Sequence, residues 1–289
     1  MGRSIDLSAL DPKIMSVLGA ELYNAFKYGI ENDMIYGKLL DNGVEQDLEE
    51  VSATQYYEIG TRRVTKDGRV YRYSKSSGIC RSGRGNKFMY KISDGIDWQL
   101  LNATSAIGAT TITFATGTHA AFTKDQLVGG LVLISDSEWG GTADTNVQNR
   151  VIVGNDASLQ NAVCTITLDR PLTREVTVST YAFLMPNPYA SIAFNADVVN
   201  SIAGVPMTYV SASGKYFWLM TWGKLWLAPQ ADDVGKINSA RQVVFRQDGS
   251  LAIHDYANAL EGMQQHAGFI IDDNTGANGG TFFELQISP

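Results

Sequence analysis

RRVTKDGRVYRY, residues 62–73, reads as two short strands folded about Lys66-Asp67-Gly68. Asp-Gly between alternating residues is a strong hairpin signal, because glycine takes the positive φ of a tight turn without steric cost. Working upstream, Tyr56, Glu58 and Gly60 alternate with Tyr57 and Ile59, so a two-residue period sets in after Val51. Downstream, KFMYKIS (87–93) reads as another strand and Ser93-Asp94-Gly95 as a turn.

The section from Leu100 to Tyr189 is strand after strand. TTITFA (110–115) puts Ile112 and Phe114 on one face. GLVLIS (130–135) is a continuous apolar run, which predicts burial on both faces. RVIVG (150–154), VCTITL (163–168) and EVTVSTYAFL (175–184) follow, and Pro186-Asn187-Pro188 ends the section because neither proline suits a central strand. Beyond it, TYVSASGKYFWLMTW (208–222) reads as a hairpin turning at Ser213-Gly214, with GKLWLAP (223–229), QVVFRQ (242–247) and FFELQIS (282–288) as further strands. Ile253 to His266 is a short helix or an irregular loop, and DDNTGANGG (272–280) is a loop. No repeat recurs at a fixed period, which argues against a propeller or solenoid.

Residues 1–50 differ. Asp11-Pro12 is a good helix start, and Ile14, Val17, Leu18, Leu22, Ala25 and Phe26 recur at helical spacing up to Gly29. That apolar stripe packs either on its own domain or on a neighbouring subunit as an arm. Ile30 to Leu40 offers a second short helix, Asp41-Asn42-Gly43 a turn, and EQDLEE (45–50) leads out. The expected architecture is mainly β: two sandwich- or barrel-like β units preceded by a short N-terminal helical segment. The expected domains are an arm over 1–50, a first β domain over 51–189 that includes the basic hairpin 62–87, and an aromatic-rich second β domain over 190–289.

Composition narrows the function. Of 289 residues only 18% are charged, so copies of the chain carry few charges to keep them apart, a mild lean toward assemblies. A net charge of −7 argues against a nucleic-acid binder, and no apolar run is long enough for a membrane helix. MGRSIDLSALDPK lacks an apolar signal core, and Asp6 stands where a myristoylation motif wants Ser or Thr, which predicts synthesis in a cytoplasm. Cys80 and Cys164 make neither a disulfide framework nor a zinc site and read as reduced, buried thiols.

Catalytic motifs are hard to find. His119, His254 and His266 have no metal-ligand spacing, and no GxSxG elbow or SxxK occurs. SGRGN (82–86) lacks the Gly-Lys-Ser/Thr ending of a phosphate loop. Glycan hydrolysis needs two acids flanking one bond, and the adjacent pairs Asp232-Asp233 and Asp272-Asp273 would point to opposite faces of a strand or serve as turn formers. Asp272, Asp273 and Asn274 could gather oxygens for calcium, without EF-hand spacing. The chain is therefore expected to be non-enzymatic and free of cofactor and metal.

Two concentrations stand out. Arg62, Arg63, Lys66, Arg69, Arg72, Lys75, Arg81, Arg84 and Lys87 hold nine of the 23 basic residues against one acid, Asp67, interleaved with Tyr71 and Tyr73. This stretch suits contact with an acidic partner, or a phosphate backbone; the plain alternative is a solvated strand pair whose charges discourage edge pairing. The other is Tyr216, Phe217, Trp218, Trp222 and Trp226. Alternation sends Tyr216, Trp218 and Met220 to one face and Phe217 and Leu219 to the other, so the strand is buried on both sides, in a core or at a subunit interface.

YEIGTRRVTKDGRVYRYSKSSG (57–78) resembles a segment of uncharacterised structural proteins of tailed bacteriophages. So does the order TITFATG (111–117), VGGLVLISD (128–136), RVIVGN (150–155), TITLDRPL (165–172), MPNPY (185–189), IAGVP (202–206) and YFWLMTWG (216–223). The resemblance spans residues 55–225 and is one of pattern. Such proteins are similar to capsid decoration, or cement, proteins, which often sit as trimers on the shell. The likeness implies a virion protein that binds the major capsid protein or other virion proteins as a homo-oligomer, a trimer by preference, with no membrane and no nucleic-acid partner. A tail, neck or baseplate component is the nearer alternative, and a carbohydrate-binding or glycan-cleaving tail receptor protein, with a groove lined by Trp218, Trp222 or Trp226 and two acids across it, the further one. A cellular β-sandwich binding module is a third.

Overall fold

The computed structural model describes residues 34–36, 45–90, 96–117, 121–136, 147–196, 200–229, 234, 241–253, 265–271 and 282–289. The chain is mainly β. In chain order the strands are β1 (Met34–Tyr36), β2 (Arg62–Val64), β3 (Val70–Lys75), β4 (Asn86–Phe88), β5 (Ile96–Leu100), β6 (Thr111–Ala115), β7 (Leu131–Ser135), β8 (Gln148–Asn155) and β9 (Val163–Leu168). They continue with β10 (Tyr181–Met185), β11 (Ile192–Ala193), β12 (Ile202–Pro206), β13 (Tyr216–Trp226), β14 (Gln242–Phe245), β15 (Leu251–Ile253), β16 (Gln265–Ile270) and β17 (Phe282–Gln286). Two compact units share them, and neither is a continuous piece of chain: the first holds 1–73, 78–87 and 194–289, the second 74–77 and 88–193.

The first unit is a curled antiparallel sheet in the order β1-β2-β3-β13-β17-β16-β14-β15, with β12 between β13 and β4. The expected hairpin is there: β2 and β3 pair Arg62 with Arg72, Arg63 with Tyr71 and Val64 with Val70, and Gly68 takes φ +84° in the turn. One face of the curl encloses a core built around Tyr57, Tyr71, Tyr73, Trp218, Phe245 and Phe283. Each of these rings removes on the order of 150–250 Å² from water, so they dominate this core.

The second unit is a six-stranded antiparallel sheet, β5-β10-β7-β8-β9-β6. Past the end of β5, Leu101 bridges Phe114 of β6, so the two edges of the sheet meet and the sheet curls on itself. Burial alternates along β8 and β9, and the inward positions Ile152, Cys164, Ile166 and Leu168 fill the core with Ile112, Phe114 and Val132. Asn155 is buried and fixes the neighbouring loop: its Oδ1 accepts from the Leu127 N–H at 2.7 Å and its amide donates to the Thr123 and Asp156 carbonyls.

Several sequence expectations are corrected. GLVLIS is not buried on both faces: Leu131 is exposed, because the curled sheet turns one face to its core and leaves the other open. EVTVSTYAFL is not one strand; only Tyr181–Met185 is, and Val176 makes a single bridge to Ser105. The aromatic strand does not stop at Trp222. It runs through Gly223, whose φ of +110° lets the backbone pass close to Arg69, and on to Trp226. Within Ile30 to Leu40, Met34–Tyr36 is a strand paired with β2 rather than helix. The helix over 12–26, His119, His254, the acidic pairs 232–233 and 272–273, Asn274 and the segment 254–264 lie outside the described residues.

Candidate functional site

The basic hairpin and the aromatic strand meet in the first unit, on a residue the sequence did not single out. Gln46 is wholly buried. Its carbonyl oxygen accepts from Trp218 Nε1 at 3.1 Å and from an Arg63 guanidinium N–H at 3.0 Å. Its side-chain Oε1 accepts from the Tyr73 hydroxyl at 2.6 Å, and its Nε2 donates to the carbonyls of Glu50 and Tyr216, each at 2.9 Å. The Tyr73 hydroxyl in turn accepts from the Tyr56 N–H at 3.1 Å. A buried amide so fully paired orders its surroundings, since any lost partner leaves a polar group dry.

Around Gln46 the rings interlock. Tyr57 and Tyr73 lie edge-on at 5.2 Å, Tyr73 meets Trp218 at 5.0 Å and stacks on Tyr216 at 6.2 Å, and the Arg63 guanidinium sits 5.6 Å over the Trp218 ring. Burial pushes the Tyr73 hydroxyl well above the ordinary tyrosine range, and burial with the Glu45 carboxylate raises that of Tyr57. Both phenols therefore stay protonated at neutral pH. No sequence period marks Gln46; the only available signal was an uncharged polar side chain between Glu45 and Asp47, inside an acidic run.

The rest of the basic stretch is largely bound within the unit. Tyr71 and Tyr73 are core residues, so these two named candidates for partner contact face inward. Arg62 and Arg72 stand opposite each other, and Arg72 donates to the Gly60 carbonyl at 3.5 Å and the Ser288 hydroxyl at 3.4 Å. Arg69 pairs with Asp67 at 2.7 Å, and Arg84 with Asp248 at 2.8 Å. Lys87 is buried and donates to the Asn195 carbonyl at 2.6 Å. Arg81 lies 4.2 Å over the Phe194 ring, in a loop held by Asn86, whose amide spans the backbone of Arg81 and Arg84. Lys66 and Arg81 remain exposed.

The aromatic strand divides along its length. Phe217 to Met220 are core, with Trp218 fully buried and Tyr216 at its margin. Trp222 and Trp226 lie on the outward face, with Trp226 exposed. They stand opposite Gln286 and Phe282 of β17, and Lys224 between them stands opposite Glu284. On β16, Phe269 pairs with Glu284, the Ile271 N–H donates to the Phe282 carbonyl, and His266 reaches Gln286 at 3.3 Å.

The second unit carries an outward face of different chemistry. Leu131 of β7 stands between Met185 of β10 and Val151 of β8, with Val153 further along β8 and Val163 on β9. Leu131, Val151, Val153 and Val163 are all exposed. From the sequence, GLVLIS is expected to be buried on both faces and RVIVG and VCTITL have no face assigned, so this open aliphatic surface is not foreseen. On the inward face, Arg150 is buried and donates to Gln148 Oε1 at 3.0 Å and to the carbonyls of Asn149 and Pro171.

Among the described residues no three His, Cys, Asp or Glu side chains gather to hold a metal, and no helix is long and apolar enough to cross a membrane. Cys80 and Cys164 are buried free thiols. The molecule is thus an antiparallel β protein whose distinctive surfaces lie on sheet faces. Comparison with protein-family models, curated proteins and solved structures finds no match for the chain.

Proposed function

We propose that the chain is a non-enzymatic structural protein of a bacteriophage particle, an auxiliary capsid decoration protein that assembles as a trimer and braces the shell through contacts with the major capsid protein. The observation that carries this reading is the outward face of the second unit, where Leu131 and Val151 form an exposed aliphatic cross-strand pair and Val153, also exposed, follows on β8. Exposed apolar surface on a rigid sheet costs a monomer solubility and gains free energy when a neighbour covers it, at about 25 cal/mol per Å². The resemblance of residues 55–225 to tailed-phage structural proteins supports the setting in a virion. Within the basic stretch, exposed Lys66 and Arg81 are the cations left to meet an acidic shell.

Light scattering at several concentrations tests it. A species of three times the 31.5 kDa chain mass is expected, falling toward monomer in Val151→Lys. A wild type that stays monomeric at every concentration would sink the trimeric decoration reading.

A further inference from the structure

We propose that the outward face of β13, β17 and β16 is a binding platform for a neutral oligosaccharide, which stacks on Trp226 and Phe282 and exchanges hydrogen bonds with Gln286 and Glu284. This goes beyond a role in assembly, since it assigns a small-molecule specificity to the first unit alone.

The register builds the platform in three rows. In the first, Trp226 stands opposite Phe282, and Ile271 follows on β16. The second runs Lys224, Glu284, Phe269. The third runs Trp222 and Gln286 to His266. Cross-strand neighbours are separated by about 4.8 Å, and Trp222 and Trp226 stand about 13 Å apart along one strand, so the face can follow a ligand several rings long.

Exposure sets this face apart from the core it covers. Trp226 is 44% exposed, Phe282 56% and Phe269 44%, so flat apolar rings lie open on an ordered sheet. The Trp226 ring passes beside Gly83, where an added Cβ would stand 3.5 Å from it. Exposed rings of this kind mark a binding surface, and the groups between them say for what.

A sugar presents an apolar C–H face and a rim of hydroxyls. The rings match the first, and the middle and third rows match the second. Gln242 Nε2 lies 3.2 Å from His266 Nδ1, and His266 Nε2 lies 3.3 Å from Gln286 Oε1. Read as one chain, Gln242 donates to Nδ1 and the Nε2–H donates to Gln286, which fixes both rotamers and leaves the Gln286 amide hydrogens for a ligand oxygen. Lys224 and Glu284 stand opposite each other with opposite charge, so the middle row favours neither a polyanion nor a polycation. Among the described residues the aliphatic face of the second unit carries no comparable chain of side-chain hydrogen bonds, and it suits a protein neighbour instead.

The three rows contain one carboxylate, Glu284. Among the described residues the platform therefore does not assemble the two flanking acids of glycan hydrolysis, and the proposal is one of binding.

Calorimetric titration of the full chain with maltohexaose, cellohexaose, chitohexaose and mannohexaose tests the proposal. Saturable binding to at least one is expected, weakened roughly tenfold in Trp226→Ala and in Phe282→Ala and retained in Val153→Ala on the other unit. Trp226→Phe, which keeps a ring, is expected to restore most of the affinity. If none of the four binds, or if both alanine variants bind as the wild type does, the proposal is overturned. A drop in solution mass in Phe282→Ala without sugar binding would overturn it too and make this face a contact between copies. The decoration reading would stand or fall separately, on Val151→Lys.

Discussion

Trp218 Nε1 donates to the carbonyl oxygen of Gln46 across 172 residues of chain. The bond joins the segment that precedes the basic hairpin to the middle of the aromatic strand. Arg63 donates to the same oxygen and lies over the same indole, so one carbonyl ties the hairpin into the core.

Trp218→Phe keeps a ring but removes the donor, and Tyr73→Phe removes the hydroxyl that Gln46 Oε1 and the Tyr56 N–H share. Each is expected to cost about 1–3 kcal/mol. Because both partners converge on Gln46, the double variant should be non-additive by at least about 0.5 kcal/mol in urea unfolding. Strict additivity would mean that the two bonds do not act together.

The basic stretch should split in two when mutated. Arg63→Ala loses a charged hydrogen bond and the stack on Trp218, an expected cost of about 1.5–3 kcal/mol. Lys66→Ala, at the exposed turn, should stay within about 0.5 kcal/mol of wild type. Equal effects in thermal melts would refute the division into bound and free cations.

Gly268 and Gly214 separate crowding from backbone strain. Both have positive φ, +141° and +74°. A Cβ at Gly268 would run into the Glu284 carbonyl, whereas nothing lies within 4 Å of one at Gly214. Gly268→Ala is expected to cost about 3 kcal/mol or more, and Gly214→Ala about 1 kcal/mol, by chemical denaturation. The reverse order would show that β16 is not held against β17 as described.

Both thiols should be silent in the folded protein. Burial pushes the Cys80 thiol up to about 12, and burial, with the Asp156 carboxylate adding to it, raises that of Cys164. A disulfide reagent at about pH 8 should label neither until denaturant is added, and then both. Rapid labelling of the native chain would show that one of the two cores opens locally.

Acid should loosen the Arg84–Asp248 contact. Burial alone would raise the Asp248 carboxyl, but the Ser250 hydroxyl and N–H and the Arg84 charge outweigh it and hold it below the usual carboxylate range. A lowered folded value means a contribution complete above about pH 4 and lost as the pH falls below it. The gap between wild type and Asp248→Asn, about 0.5–1 kcal/mol at neutral pH for a half-exposed pair, should shrink steadily as the pH falls below about 4. A gap unchanged by acid would mean that the charge contributes nothing.

Much of the strand content was legible because it is written locally. VCTITL is a strand over its whole expected length, FFELQIS and QVVFRQ over most of theirs, and Lys66-Asp67-Gly68 turns where its glycine allows. Alternation gave the faces only as far as the ladder stays regular. Met220 and Trp222 share a parity, yet Met220 is core while Trp222 stands opposite Gln286 on the outward face. Between them the Ile287 and Ser288 N–H groups both donate to the Thr221 carbonyl, so two residues beyond β17 face one of β13, and Gly223 follows at φ +110°, which makes the ladder irregular here. Strand ends were also less legible. The β-formers Val176 and Val178, ahead of Tyr181, stay outside a strand because pairing partners, not propensity, decide where a ladder starts.

Sequence by itself determined that this is a β protein, where its tight turns fall and which side chains alternate within a regular run, since period and turn chemistry act between residues a few positions apart. Only the tertiary structure decided that the chain leaves the first unit at Tyr73 and returns to it at Phe194, apart from the stretch 78–87. It also decided that Tyr71 and Tyr73 serve a core rather than a partner, and that Gln46 joins Trp218, Tyr73 and Arg63. Those outcomes depend on which strands pair across long stretches of chain, and pairing at that range is set by the packing of whole sheets, which no local window of sequence contains.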